Sequence, residues 1–332
     1  MAVSSSTTSA PASSSRASTG TARSGALTPG VWAALAVVYV VWGSTYLGMR
    51  VVVTEGLPPY LSMGARFLVA GTILALVLAA RGGWRRLRVT RRELASCGLV
   101  GLLLLAGGNG LVAFAEQDVP SGLAALLVAT TPLWLVAFRA VTGDRPPWAT
   151  WVGTAVGFGG VAVLARPGGH EQVPLLSTLL VVVATSLWAS GTFAATRLRM
   201  PADPFVPAAF EMLLAAPVMI LVGLVTGEGG RLAASVRGGL SSTGLLAWAY
   251  LVVFGSLVAF TAYYWLLRHA PISLVATYAY VNPLVAVLLG WALLSEQVTA
   301  TIVLGGALAV VGVLLVVSTE RRGAYHRSRT DL

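Results

Sequence analysis

The chain contains no lysine, one cysteine, three histidines and few charged residues of any kind. Each shortage excludes something. Cys97 on its own cannot form an intrachain disulfide or a thiolate metal cluster. His170, His269 and His326 are scattered, and HExxH, GxSxG and Walker phosphate-loop patterns are missing. That argues against an intramembrane protease and an ATP-driven pump, and no enzyme activity, cofactor or metal is expected. Charged residues make up 10% of the chain, against about 25% in ordinary soluble domains. Strict alternation of apolar and polar residues, the mark of a barrel strand, is also lacking.

Apolar side chains are what the sequence has instead. They make up 56% of its 332 residues, and the mean hydropathy is +0.81. A soluble fold must present a surface to water and cannot hide so much apolar area. The chain therefore reads as an all-α integral membrane protein, because backbone groups in lipid must bond within their own segment. Apolar runs fall near 31–52, 59–80, 95–115, 121–141, 149–165, 175–196, 205–226, 244–267, 271–294 and 298–318. At about 20 residues per crossing they amount to ten transmembrane helices.

The net charge of +10 comes from 22 arginines. Their placement fits membrane topology better than nucleic-acid binding, and no nucleic-acid partner is expected. Seventeen lie in the two tails and in the loops after the second, fourth, sixth and eighth runs, six of them between Arg81 and Arg92; the opposite loops hold Arg166, Arg231 and Arg237. The positive-inside rule then predicts two cytoplasmic termini. Residues 1–28, rich in Ser, Thr, Ala and Gly, read as a disordered cytoplasmic tail, with a transit peptide as a weaker fit. Residues 319–332 read as a second cytoplasmic tail.

The sequence repeats itself at an offset of about 145–152 residues. Pro120 and Pro132 are spaced like Pro271 and Pro283, Gly153 and Gly160 like Gly305 and Gly312, Pro59 and Arg66 like Pro204 and Glu211. Five helices per repeat is an odd number, so the halves must enter the membrane from opposite sides. Residues 29–166 and 175–318 are thus expected to form two inverted five-helix repeats around a central cavity, an architecture of secondary transporters.

Several residues are out of place for plain lipid-facing helices. Trp42 lies about eleven residues from either end of the first run, too deep for the interfacial aromatic belt, and shares a helix face with Tyr46. Trp188 is similarly deep in the sixth run. Tyr278 and Asn282 share a face of the ninth, just before Pro283, which frees the carbonyl of Ala279; Thr131 and Pro132 are the counterparts in the fourth. Asn109 sits between Gly108 and Gly110. All of these fit either helix packing or the lining of a substrate cavity. Pro132 and Pro283 are expected to kink their helices. Arg66 and Glu211, about one and a half turns into their spans, fit a functional role by default. The plainer alternatives are snorkelling for Arg66 and a structural hydrogen bond for Glu211. If transport is coupled to protons, Glu211 is the expected proton site. Glu116, Asp118 and Glu296 read as solvated boundary charges. The small-residue faces Gly153–Gly157 and Gly305–Ala309 suit tight packing or a homodimer seam.

The stretches Trp42-Gly43-Ser44-Thr45-Tyr46, Gly56-Leu57-Pro58-Pro59 and Ala65-Arg66-Phe67 resemble the opening of an EamA domain. Val119-Pro120-Ser121-Gly122 with Pro132, Phe254-Gly255-Ser256, and Tyr278-Ala279-Tyr280-Val281-Asn282-Pro283 through Gly290 are similar to further motifs of that family. The match covers about residues 31–320. Gly143-Asp144-Arg145-Pro146 departs from it, since the family more often shows a Glu there. The resemblance implies an EamA-type permease of the drug/metabolite transporter superfamily. Such a protein would be a multi-pass inner-membrane exporter of an amino acid, metabolite or drug-like molecule, working by alternating access. A lipid or polyprenyl-carrier translocase on the same fold is the alternative, and membrane lipid is an expected partner in either case. The aromatic residues suit an amphipathic or aromatic substrate, with a cation held on ring faces as one form of it.

Overall fold

The computed structural model describes residues 28–143, 146–164, 173–270, 272–275 and 277–330. Most of the predicted N-terminal tail lies outside them, as do Asp144, Arg145, Arg166, His170 and Pro271. The ten expected helices are present: α1 Pro29–Thr54, α2 Pro59–Gly82, α3 Arg91–Ala115, α4 Ser121–Val141, α5 Trp148–Leu164, α6 Leu175–Ala195, α7 Phe205–Val225, α8 Ser242–Leu266, α9 Tyr278–Leu294 and α10 Ala300–Thr330. Eight are long and apolar enough to cross a membrane, and the regions of α5 and α9 are the shorter apolar helices. Leu76, Leu221, Leu246, Leu288 and Val303 point outward, each more than half exposed. In water such a belt would be an aggregation surface; a bilayer covers it.

The inverted repeat is visible in the packing. Helices α5 and α10 pack backbone to backbone: a Cβ on Gly160 would lie 2.4 Å from the Ala309 nitrogen and 2.7 Å from the Gly305 oxygen. A Cβ on Gly312 would lie 2.3 Å from the Gly157 nitrogen and 2.7 Å from the Gly153 oxygen. Gly153, Gly157 and Gly160 stand 152 residues before Gly305, Ala309 and Gly312. The contact is therefore self-reciprocal and antiparallel, which a two-fold axis across the helices produces. Helix α2 meets α7 in the same antiparallel sense, with Gly64 against Ala216 and Ile220 and Gly71 against Met212 and Leu213. The remaining pairings also exchange between halves: α1 lies on α8 and α9, and α6 on α3 and α4. The small-residue faces of α5 and α10 are thus used inside the chain.

Two features refine the expected helices. Residues Leu102–Asn109 of α3 and Leu251–Val258 of α8 form wide π-helical turns, 149 residues apart. Such turns occur often at functional sites. The Pro132 site is a break rather than a smooth kink. Helix α4 stops after Val128 and restarts at Thr131, with Pro132 in its first turn. Pro132 cannot donate to the Val128 carbonyl, and the Thr131 hydroxyl donates to it instead at 2.7 Å. Ahead of α9 a single turn, Ile272–Val275, precedes the restart at Tyr278, and Pro283 lies inside the helix.

Both α2 and α4 begin behind prolines, with no side-chain cap of their own. Their first N–H groups need acceptors, and acids of the second half supply them. Glu228, at the start of a short helix Glu228–Gly238, accepts from Tyr60 N at 3.2 Å and Leu61 N at 2.9 Å. Glu296 accepts from Ser121 N at 2.7 Å and Gly122 N at 3.1 Å. Both caps lie on the face opposite the start of α1, here the far face. On the near face, loop residues Arg86 and Asp203 form an ion pair at 2.6 Å.

Candidate functional site

A cavity of about 240 Å³ lies in the middle of the bundle, walled by helices of both halves. On the same measure a single water needs only ~10–15 Å³, so the space suits an organic solute rather than a bare ion. Its lining includes Trp42, Tyr46, Arg66, Asn109, Trp188, Tyr278 and Asn282, with both proline sites, Pro132 and Pro283. The residues singled out as misplaced in lipid-facing helices are therefore neighbours in space. The exception is Glu211, which is outside the lining.

Trp42 is the hub of the aromatic wall. Its ring meets Tyr278 and Phe260 edge-on, with centroids 5.2 and 5.4 Å away, and Tyr263 at 5.0 Å. Such edge-to-face contacts match positive ring edges to negative faces. Phe260 and Tyr263 were not expected in the site. They stand three residues apart in α8 and so share a face, which is the signal the sequence offered.

The polar residues divide by role. Assigning the Asn282 amide so that its nitrogen donates, it bonds the carbonyl oxygens of Tyr278 at 3.1 Å and Tyr39 at 3.3 Å. Asn282 thus ties α9 to α1 while forming part of the wall. Asn109, at the end of the π-helical turn of α3, has a buried Oδ1 with no hydrogen-bond partner among the described residues. Ala279, whose carbonyl Pro283 cannot serve, is in the wall too.

Arg66 does not snorkel. It is 3% exposed, its Nε donates to Ser256 Oγ in the π-helical turn of α8 at 2.9 Å, and its Nη1 lies 3.6 Å from Met63 Sδ. Its guanidinium carbon is 4.8 Å from the Phe67 ring centre. No acid among the described residues pairs with it. Glu211 is 5% exposed, and its carboxylate makes no hydrogen bond among the described residues. The backbone of α7 there packs against Gly101 of α3.

Glu116 corrects the reading of the boundary acids. It is wholly buried at the far end of α3, with neither carboxylate oxygen hydrogen-bonded among the described residues, and Arg50 donates to its main-chain carbonyl. Burial holds its carboxyl well above the ordinary range, nearby Glu296 adds to this, and Arg50 partly offsets it. Glu296 is a helix cap rather than a solvated charge. Asp118 accepts from Ser177 Oγ at 2.6 Å. The sequence reading placed these acids by their distance from span ends, and depth along a helix does not reveal which way a side chain turns. Among the described residues no cluster of His, Cys, Asp and Glu could hold a metal ion.

Comparison with known proteins adds four findings. A family model described as the EamA-like transporter family matches residues 28–166 and 175–318. The "Uncharacterized inner membrane transporter YedA" of Escherichia coli (strain K12) is 39% identical over 287 residues, 86% of this chain and 90% of that one. The "Probable terminal-alkyne amino-acid exporter" of Streptantibioticus cattleyicolor is 31% identical over 303 residues, 87% of this chain and 94% of that one. One solved crystal structure superposes with a TM-score of 0.58 at 20% identity, covering 88% of this chain and 98% of its own, a likeness of fold.

Proposed function

The chain belongs to the EamA-like transporter family and is a multi-pass membrane transporter; we propose that it exports a small organic molecule by alternating access around the central cavity. The observation that carries this reading is the cavity's position: both halves of an inverted repeat contribute walls to it. Rocking one half against the other would expose such a site to each side in turn. On the far face the first half of α4, Ser121–Leu127, is buried throughout, whereas Trp134, Leu135 and Ala137–Ala140 of its second half are only partly buried. That asymmetry suits a state closed on the far side. Export fits the name of the Streptantibioticus relative. The arginine asymmetry supports two cytoplasmic termini and so a cytoplasmic near face. Glu211, buried and without a hydrogen-bond partner among the described residues, is the acid this reading assigns to proton coupling.

The test is counterflow in proteoliposomes, screened across amino acids, nucleobases and cationic drugs. Saturable exchange of at least one class is expected, lost in Trp188→Ala. A reconstituted protein that exchanges nothing, or exchange untouched by Trp188→Ala, overturns the reading. Reporter fusions after Asp331 test the orientation, and an external C-terminus would reverse it.

A further inference from the structure

The cavity has a charge, and the charge has one sign. Among the described residues of its lining Arg66 is the only ionic side chain, with no aspartate or glutamate beside it. A guanidinium stays protonated in proteins and offers five N–H donors in a planar fork. One of these is used well, on Ser256 Oγ. Another leans on the Met63 sulfur, a weak acceptor. Nη2 makes no hydrogen bond among the described residues and lies 3.0 Å from where a Cβ on Gly255 would sit. A larger residue at 255 would crowd this edge of the fork. A buried charge is normally paired or hydrogen-bonded, because desolvation is otherwise uncompensated. This one faces a hollow. A second polar atom lies in the same lining: Asn109 Oδ1, an acceptor without a donor among the described residues.

We propose that the transported molecule is an organic carboxylate with a neighbouring N–H donor and an apolar body, its carboxylate taken by Arg66, its N–H by Asn109 and its body by the rings around Trp42. The inference rests on the carrier reading above and narrows it. Carboxylate and guanidinium match in plane and charge. It also reverses the expectation, drawn from the aromatic residues alone, that a cation could sit on ring faces. The ring contacts of Trp42 with Tyr278 and Phe260 engage faces with edges of neighbouring rings. A cation in the cavity would share it with Arg66, and like charges in a poorly screened space repel. An α-amino acid and an N-acylated acid both meet the description, and the test separates them.

The experiment uses the full chain purified in detergent and a matched aromatic panel: L-phenylalanine, N-acetyl-L-phenylalanine, 3-phenylpropanoate, L-phenylalaninamide and phenethylamine, with L-leucine and its amide as an aliphatic pair. Ligand affinity is read from thermal stabilisation, which grows with ligand concentration over Kd. Each carboxylate is expected to bind at least about tenfold more tightly than its amide or amine, a difference of about 1.4 kcal/mol. Phenylalanine ahead of the N-acetyl acid identifies a free ammonium as the donor; the reverse order identifies an amide N–H. Both outcomes support the proposal, and 3-phenylpropanoate should trail whichever leads. Arg66→Gln should abolish carboxylate preference, Arg66→Lys should keep part of it, and Asn109→Ala should bring the leading acid down to the level of 3-phenylpropanoate. The wild-type comparison needs no variant, so a misfolded Arg66→Gln cannot obscure the answer. Amides or amines that bind as tightly as the acids, no response to any acid at 50 mM, or carboxylate preference surviving in Arg66→Gln would each overturn the proposal. Counterflow of a cationic or neutral solute would overturn it while leaving the carrier reading intact. Carboxylate binding without any flux would sink the carrier reading, and with it the claim that the bound acid is transported, while leaving the assignment of Arg66 and Asn109 as its binding site.

Discussion

Arg66 and Glu211 occupy matching places in the two halves. Each follows a proline near the start of its helix by seven residues, and each is almost fully buried, 3% and 5% exposed. Their surroundings differ. Arg66 reaches α8, bonds Ser256 and enters the cavity wall. Glu211 is outside that wall, where α7 packs on α3. Duplicated backbones therefore need not keep duplicated surroundings: the repeat fixes where a residue sits along its helix, and the packing of the neighbouring helix decides whether it lines the cavity. The glycines of α5 and α10 are the opposite case, where both copies do the same thing.

The contrast can be broken in four ways. The largest effect is expected at the shared glycines. Gly160→Val and Gly312→Val should each cost about 3 kcal/mol or more, the upper end for overpacking, because the added carbons meet backbone that has no rotamer to change. Expression and size-exclusion profiles should fall equally for the two. Unequal losses would mean the α5–α10 contact is less symmetric than it looks.

Next come the two charges, which should respond differently. Arg66→Gln in the ligand-free protein should raise stability by about 1–3 kcal/mol, since a charge at that depth costs roughly 2.5–3.5 kcal/mol on insertion scales and the lost Ser256 bond returns part of it. Thermal unfolding without ligand measures this, and a lower melting point would show that Arg66 is structural. Glu211→Gln should abolish pH-driven accumulation yet leave counterflow intact. Unchanged pH dependence would remove Glu211 from any coupling role.

The caps on the far face should again behave as a pair. Glu228→Gln and Glu296→Gln each weaken two backbone bonds to a carboxylate, at about 1–2 kcal/mol, the scale of a lost helix cap. Comparable drops in denaturation midpoint are expected.

The smallest effect belongs to Glu116. Its folded carboxyl titrates above the unfolded one, near 4.3 in model peptides. Between those values the folded state holds a proton that the unfolded state has released, so stability falls as pH rises through the window. Glu116→Gln should flatten that slope from pH 5 upward and melt a few degrees higher at pH 8, at about 2–4 °C per kcal/mol regained. A variant with the wild-type slope would mean Glu116 is not the group responsible.

The sequence revealed the site better than its supports. Trp42, Tyr46, Trp188, Tyr278 and Asn282 were legible because amphipathic residues deep in apolar spans have few uses. Leu102–Asn109 reads as ordinary apolar helix, and nothing in its composition distinguishes an i→i+5 turn from an i→i+4 one. Glu228 drew no notice because its partners, Tyr60 and Leu61, are 167–168 residues away. The missing caps ahead of Pro59 and Ser121 were the available clue, since two helix starts without acceptors require acids from elsewhere.

The two faces of the molecule also differ in what dissolved ions can reach. Arg86 and Asp203 are about a quarter exposed, at 29% and 26%, whereas the Glu228 side chain is 1% exposed. Electrostatic attraction between accessible charges is screened over about 8 Å at physiological ionic strength and about 3 Å at 1 M, and buried contacts much less. Ionic strength is therefore a one-sided lever on this transporter: concentrated salt acts on the Arg86–Asp203 tie of the near face far more than on the buried Glu228 cap of the far face.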